Sequence, residues 1–192
     1  MRILILAPHP DDVELAMGGT LYKLSQDKKN LIRYICFTHC GGAVNELPVN
    51  DSIEYQIFDC DNKHLYQHRQ DILDILDEER EGFRPELVFC PSSFDTHQDH
   101  RVVNKEATRC YKSFCSILGY EQPWNNLDSN YRLFYRLNSQ DMGNKWEYLK
   151  YYQSQKKKPY FKEAFIYGQA QYRGIQCDSE YAESFEVIKW IM

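Results

Sequence analysis

The chain reads as a single-domain α/β protein: a Rossmann-like sandwich with a mostly parallel central sheet and helices on both faces. Three observations predict this. Short, continuous apolar runs recur at 2–7, 31–38 and 86–91, the mark of strands covered on both faces. Helix-like stretches separate them, giving the alternation that right-handed crossovers produce. No repeat, linker or low-complexity segment breaks the 192 residues, a length that suits one core, so 1–192 is read as one domain.

"RILILA" (2–7) is the first strand. From Asp12 or Val13 the period changes: Leu15, Leu21 and Leu24, with small Ala16, Gly18 and Gly19, suit a helix packed tightly on the sheet. "LIRYICFT" (31–38) is the second strand, "GGAVNELPVND" (41–51) a loop, and Ser52 to Phe58 a short helix. "HRQDILDILDEEREGF" (68–83) is an amphipathic helix with Ile72, Leu73 and Leu76 on one face. "ELVFCP" (86–91), introduced by Pro85, is a third buried strand, and 99–114 a helix. Past residue 120 the pattern weakens. There 131–137 reads as a strand, 145–155 as a helix and 179–191 as a closing helix.

Composition narrows the function. Apolar residues make up 43% and charged residues 27%, and the net charge is −5, which argues against a broad nucleic-acid surface. The one basic run, Lys156-Lys157-Lys158, reads as a solvated helix end. No window approaches the ~20 apolar residues of a membrane span, and Pro8 stops the first apolar run too early for a signal-peptide core. The seven cysteines are odd in number and form no CxxC pair; they read as reduced thiols, several inside apolar runs, in a cytoplasmic protein. Tyrosine-rich "YLKYY" and "YRLFYRL" read as ordinary core and surface more readily than as sugar platforms.

In a parallel sheet, ligands bind beyond the carboxyl ends of the strands. "APHPDD" follows the first strand and "PSSFDTHQDH" (91–100) follows "ELVFC", so two His/Asp clusters should meet on one rim. Helix capping would use one Asp or Thr from each and leaves His9, His97 and His100 without a reason. Asp11, Asp12 and Glu14 repel one another unless positive charge sits among them. A divalent ion supplies it. Imidazole with carboxylate suits zinc best, with iron(II) and other first-row metals possible. His9 and Asp12 can converge on one ion, and the second cluster must add the third ligand, His97 or His100. A neighbouring carboxylate that does not bind the ion can serve as general base.

"PHPDDVELAMGGTL" followed by "HQDH" resembles the PIG-L/LmbE-like zinc de-N-acetylase family, whose hallmarks are a (P/A)HPDD-x-E run in the first strand–helix turn and a later H-x-D-H. "YYQSQ" and "YRGIQCDSEYAESFEVI" are similar to that family's Ser-Gln and C-terminal segments, so the resemblance spans the chain. It implies an LmbE-like fold and a zinc-dependent hydrolase using a metal-bound water. The acetyl group would leave an N-acetylglucosamine-type amino sugar, small or lipid-linked. By the same resemblance His9, Asp12 and His100 would bind the metal. Asp11 would be the base and then the proton donor, His97 would steady the oxyanion, and Asp99 would hold a histidine of its own motif. Glu14 is also a family position, and its place at the start of the helix fits a helix-dipole or a structural role equally well.

One departure concerns substrate. The family's Arg-x-x-Glu pair is matched by Asp51-Ser-Ile-Glu54, so Glu54 is the substrate-binding candidate and Asp51 stands in place of Arg. Arg132, Arg136 or Arg173 would then supply the positive group. Three alternatives share these residues or avoid them: another N-acyl or ester hydrolysis at the same site, a non-catalytic sugar or nucleotide module, and a cysteine hydrolase at Cys40 beside His39. The second lacks a Gly-x-Gly-x-x-Gly or Walker signature, and adjacency of Cys and His in sequence is no pairing in space.

Overall fold

The computed structural model describes residues 1–192. Seven strands, β1 (Arg2–Ala7), β2 (Leu31–Cys36), β3 (Ile53–Ile57), β4 (Leu87–Pro91), β5 (Ser116–Tyr120), β6 (Tyr131–Leu137) and β7 (Tyr181–Lys189), form one sheet in the order β3-β2-β1-β4-β5-β7-β6. The first five are parallel; β7 runs antiparallel to both β5 and β6. The helices are α1 (Asp12–Gln26), α2 (Arg69–Gly82), α3 (Gln98–Tyr111), α4 (Ser139–Lys150) and α5 (Glu163–Ile175).

Strand β1 shows why its sequence is apolar throughout. Side chains alternate between faces, so Ile3, Ile5 and Ala7 join Val13, Met17 and Leu21 of α1 on one side. Leu4 and Leu6 join Ile72 and Leu76 of α2 and Val103 of α3 on the other. A third cluster, around Leu15, Leu137, Met142, Leu149 and Tyr152, seats α4 and α5 beside the first face.

Two expected helices are strands. Residues 52–58 hold β3, which pairs with β2 from Ile32↔Ile53 to Cys36↔Ile57. Its alternation of Ile53, Tyr55 and Ile57 with polar residues suits a half-buried edge. Residues 179–191 hold β7, whose Glu183 and Glu186 are spaced like the charged face of a helix but are buried acceptors. Glu186 takes Ser92 Oγ at 2.8 Å and the Ser93 amide at 2.7 Å. Glu183 takes Lys145 Nζ at 2.7 Å and the amides of Gly19 and Thr20 at 3.1 and 2.7 Å. α1 kinks at Met17 (φ −138°, ψ 29°) just before those two amides. A Cβ at Gly19 would lie 2.6 Å from Leu137 Cδ1, so any larger residue there forces that buried side chain to move. β5 and α5 have no counterpart among the expected elements. The expected 145–155 helix starts earlier, at an Asn138–Asp141 capping box, and ends at Lys150 before a 3-10 turn at Gln153–Gln155.

Candidate active site

The first cluster sits where β1 gives way to α1. Pro8 and Pro10 restrict the turn through their fixed φ, and the Pro10 carbonyl accepts the buried Tyr152 hydroxyl. The His9 amide donates to Asp12 Oδ2 at 2.9 Å. Asp11 occupies the N-cap position, yet its side chain caps nothing, so its carboxylate is left to the cleft it lines. The second cluster follows β4. Asp95 accepts the His97 amide on Oδ1 at 2.8 Å and faces His100 Nδ1 with Oδ2 at 2.7 Å. His97 caps α3, its Nδ1 accepting the Asp99 amide at 3.3 Å.

The clusters meet, as strand order requires for neighbours β1 and β4. His9 Nδ1 lies 3.0 Å from Asp12 Oδ2 and 3.3 Å from His100 Nε2, and His100 Nε2 lies 3.2 Å from Asp12 Oδ2. Ligands ~2.1 Å from a tetrahedral zinc are separated by about 3.4 Å, so this triangle fits three corners of such a site. The ring nitrogens of His9, His97 and His100 also lie within 4.8 Å of one another. Asp12 Oδ2 is within 3.2 Å of both His9 Nδ1 and His100 Nε2, and one nitrogen of His97 is occupied by the α3 amide.

Each imidazole of the triangle has its own carboxylate on the other nitrogen, the arrangement that orients metal-binding histidines. Asp95 backs His100. Asp99 backs His9, its Oδ2 3.1 Å from Nε2. The expectation that Asp99 holds a histidine of its own motif is therefore corrected. Its carboxylate points across to the first cluster and also accepts the amides of Lys63 and Leu65 at 2.7 and 3.2 Å.

The electrostatics call for positive charge. Burial opposes the charged imidazole at His9, yet Asp12 and Asp99 raise it to about 10. Against the same burial, Asp12 and Asp95 raise His100 to about 9. Burial works against the Asp12 carboxylate as well, but His100 and His9 hold it well below its ordinary range. The carboxylates thus favour positive charge at the triangle, the charge a divalent ion would bring. Asp11 is pushed up to about 7 by burial and by the charge of Asp12; His97 is lowered by burial and by the other two rings.

The surrounding cleft has a volume of about 670 Å³. Gln122, from the segment after β5, donates Nε2 to Asp12 Oδ1 at 2.9 Å. Trp124 and Tyr160 line one wall as stacked rings, 4.2 Å apart and 13° from parallel. Lys63 and Lys158 also line it. Sequence reasoning missed Asp95 and Gln122; the signal for Asp95 was its place inside the second His/Asp cluster. The four substrate candidates lie elsewhere, Arg136 exposed on β6. Glu54 pairs with Arg33 at 2.7 Å on β3 and lines a separate hollow with Asp51. Arg132 is exposed and bonded to Asn130, and Arg173 is held by Glu121 at 2.9 Å. Glu14 is fully buried below the site, taking the Tyr34 hydroxyl at 3.2 Å, so it is no exposed helix-start charge. Cys40 lines the cleft, but burial pushes its thiol up to about 11, which removes the thiolate a nucleophile needs.

Fold and rim together define the class: an α/β protein with a His/Asp centre at the carboxyl ends of adjacent parallel strands. No family model matches the chain, and no curated protein does. Solved structures do. The chain is similar to N,N'-diacetylchitobiose deacetylase from Pyrococcus horikoshii (TM-score 0.74, 20% identity, 97% of this chain and 83% of that one). It is similar to the zinc-inhibited form of teicoplanin deacetylase (0.72, 13%, 96% and 97%). It is also similar to the 4-carboxy-2-hydroxymuconate hydratase of Pseudomonas putida (0.76, 15%, 100% and 97%). The fold is thus the LmbE-like one that these deacetylases have.

Proposed function

We propose that this protein is a divalent-metal-dependent hydrolase that removes the acetyl group from an N-acetylglucosamine-type amino sugar. The observation that carries the reading is the triangle of His9 Nδ1, Asp12 Oδ2 and His100 Nε2, with edges of 3.0 to 3.3 Å and a carboxylate behind each imidazole. Those three residues would hold the ion, zinc first and iron(II) next by donor type. Such an ion, when bound, polarises a carbonyl and acidifies water.

The remaining steps belong to side chains. Asp95 and Asp99 keep the ring protons on the far nitrogens of His100 and His9, leaving the near ones as lone pairs. Asp11 takes a proton from the attacking water. It returns that proton to the nitrogen as the C–N bond breaks, so acetamide and water become acetate and amine. His97 carries its proton on Nε2, because Nδ1 accepts the Asp99 amide, and donates it as a hydrogen bond to the oxygen that gains charge.

The deacetylases among the structural neighbours support this reaction, and the hydratase sets the rival: addition of water to an unsaturated acid by the same carboxylate. All seven cysteines are free thiols, which suits the cytoplasm, and no helix is long and apolar enough to cross a membrane. Metal analysis with a substrate screen tests the reading. The expected result is one equivalent of ion and acetate release from N-acetylglucosamine derivatives, abolished by chelation and restored by zinc. Faster formyl or ester cleavage would reassign the acyl group. Hydration of unsaturated acids without acetate release would overturn the reaction, and protein that takes up no ion would overturn the site.

A further inference from the structure

We propose that Gln122 is a positioning residue for the metal centre: it holds Oδ1 of Asp12 off the ion, so that Asp12 binds through Oδ2 alone and one coordination position stays open. The inference rests on the metal triangle proposed above. It adds a residue, and a role that the three ligands do not supply themselves.

The two oxygens of Asp12 have different surroundings. Oδ2 accepts the His9 amide at 2.9 Å and faces His9 Nδ1 at 3.0 Å and His100 Nε2 at 3.2 Å. Oδ1 has one partner, Gln122 Nε2 at 2.9 Å. A carboxylate can meet a divalent ion with one oxygen or with both. A catalytic zinc site keeps its fourth position for water or substrate, and a second oxygen from Asp12 would fill that position. The hydrogen bond on Oδ1 opposes this. Because the donor is a neutral amide, it does so without pairing off the charge that Asp12 offers the ion, as a buried lysine or arginine would.

The direction of that amide is determined by its neighbours. Gln122 is fully buried. Its Nε2 also donates to the Asp12 carbonyl at 3.2 Å, while its Oε1 accepts Asn125 Nδ2 at 3.3 Å. Turned over, the amide would set Oε1 against two oxygens and its NH2 against another NH2, leaving buried groups unpaired. The donor end therefore faces Asp12.

The backbone of Gln122 is fastened to the other cluster. Its carbonyl accepts the amides of Asn125 and Asn126 at 2.9 and 3.1 Å, and its own amide donates to Asn126 Oδ1 at 3.1 Å. The Asn125 carbonyl accepts both the amide and the hydroxyl of Thr96, at 3.2 and 2.7 Å, and Asn126 forms a β-bridge with Asp95. The turn at 122–126 is thus tied to the segment that carries His97 and His100, and its glutamine reaches across to the ligand on the first cluster. One short turn sets the offset between Asp12 and His100.

Cobalt(II) in place of zinc tests this, because its visible absorption weakens as its ligands rise from four to five. Gln122→Met keeps the length of the side chain and removes the donor. It should take up one equivalent of cobalt, show weakened bands, and lose about 10- to 100-fold in turnover. Thr96→Val loosens the turn at an exposed residue and leaves the Gln122 donor in place; it should keep the wild-type spectrum. A wild-type spectrum in Gln122→Met would overturn the proposal. So would an equal change in Thr96→Val, since the turn and not the amide would then be responsible. Loss of cobalt from Gln122→Met would also overturn it, because the glutamine would then be holding Asp12 on the ion and not one oxygen off it.

A crystal structure of the zinc-loaded wild type reads the same point with no variant. Oδ1 should stay on Gln122, and both Asp12 oxygens at bonding distance from zinc would overturn the inference. Wild-type protein that takes up no cobalt would remove the triangle, and this inference with it. One-oxygen binding in a protein that releases no acetate would sink the hydrolase reading alone. Acetate release with both oxygens on the ion would sink the role of Gln122 alone.

Discussion

Asp95→Asn isolates the group that orients His100. The carboxylate accepts twice: from the His97 amide at 2.8 Å on Oδ1 and from His100 Nδ1 at 2.7 Å on Oδ2. Asparagine keeps the shape but offers one acceptor and one donor, so one of the two partners must face an NH2 group. If that partner is His100, its proton moves to Nε2, the nitrogen at the corner of the triangle. Metal affinity should then fall about 10- to 100-fold, as for other losses of an outer-shell carboxylate, which is ~1.4 to 2.7 kcal/mol. If the amide turns the other way, two N–H groups oppose each other at the start of α3 and the metal-free fold loses ~1–3 kcal/mol. Zinc affinity by competition with a chromogenic chelator reads the first loss. Urea unfolding of the metal-free protein reads the second. A variant with neither loss would show that Asp95 orients nothing and that the triangle is not organised as described.

The other predictions are simpler. Asp11→Asn should keep the ion and cut turnover by a factor on the order of 10² or more; unimpaired acetate release would remove Asp11 from the proton path. Glu183→Ala leaves Lys145 buried without a counter-charge and should destabilise by ~3–5 kcal/mol in urea, while K145M/E183Q recovers much of it; equal costs for both would mean the pair is not coupled. Gly19→Ala, with its 2.6 Å approach to Leu137, should cost ~1–3 kcal/mol. Gly143→Ala, in open space on α4, should instead stabilise by up to ~1 kcal/mol, and the same sign at both sites would contradict the packing. In metal-free protein, burial lifts the Glu14 carboxyl from 4.5 to about 8, outweighing the hydrogen bonds that favour its charge. The folded state then keeps a proton that the unfolded chain has released. Its stabilising contribution is full below about pH 4.5 and fades as pH rises to about 8, by ~1.4 kcal/mol per unit. Glu14→Gln should flatten that slope in urea titrations across the range, and an unaltered slope would count against a protonated Glu14.

What the sequence discloses depends on whether a residue's partner is near in the chain. β1 is legible because both its faces are covered, which forces an unbroken apolar run. The rim is legible because βα units place the turns after β1 and β4 on one edge. Asp95 looks like any turn aspartate until His100 is seen to face it. Gln122 and Trp124 come just after β5, whose "SILGY" is too short and too mixed to stand out as a strand. In β7 the spacing of Glu183 and Glu186 mimics a helix face; only the amides of α1 and the serines after β4 reveal why the charges point inward. Glu54 matches a family loop in sequence, but its register opposite Arg33 in β3 gives it a partner on the sheet and keeps it from the cleft.

The position of β7 between β5 and β6 has a consequence for biosynthesis. β6 emerges from the ribosome long before the only strand it pairs with, and that strand also brings the acceptor for the α1 amides. Until β7 is released, the nascent chain carries an aromatic ribbon with no partner and a first helix with two unsatisfied donors. Closure of the sheet is therefore a late, long-range event, the kind whose loop-closure cost slows folding. The interval before it is when the polypeptide is most exposed to self-association and to capture by chaperones.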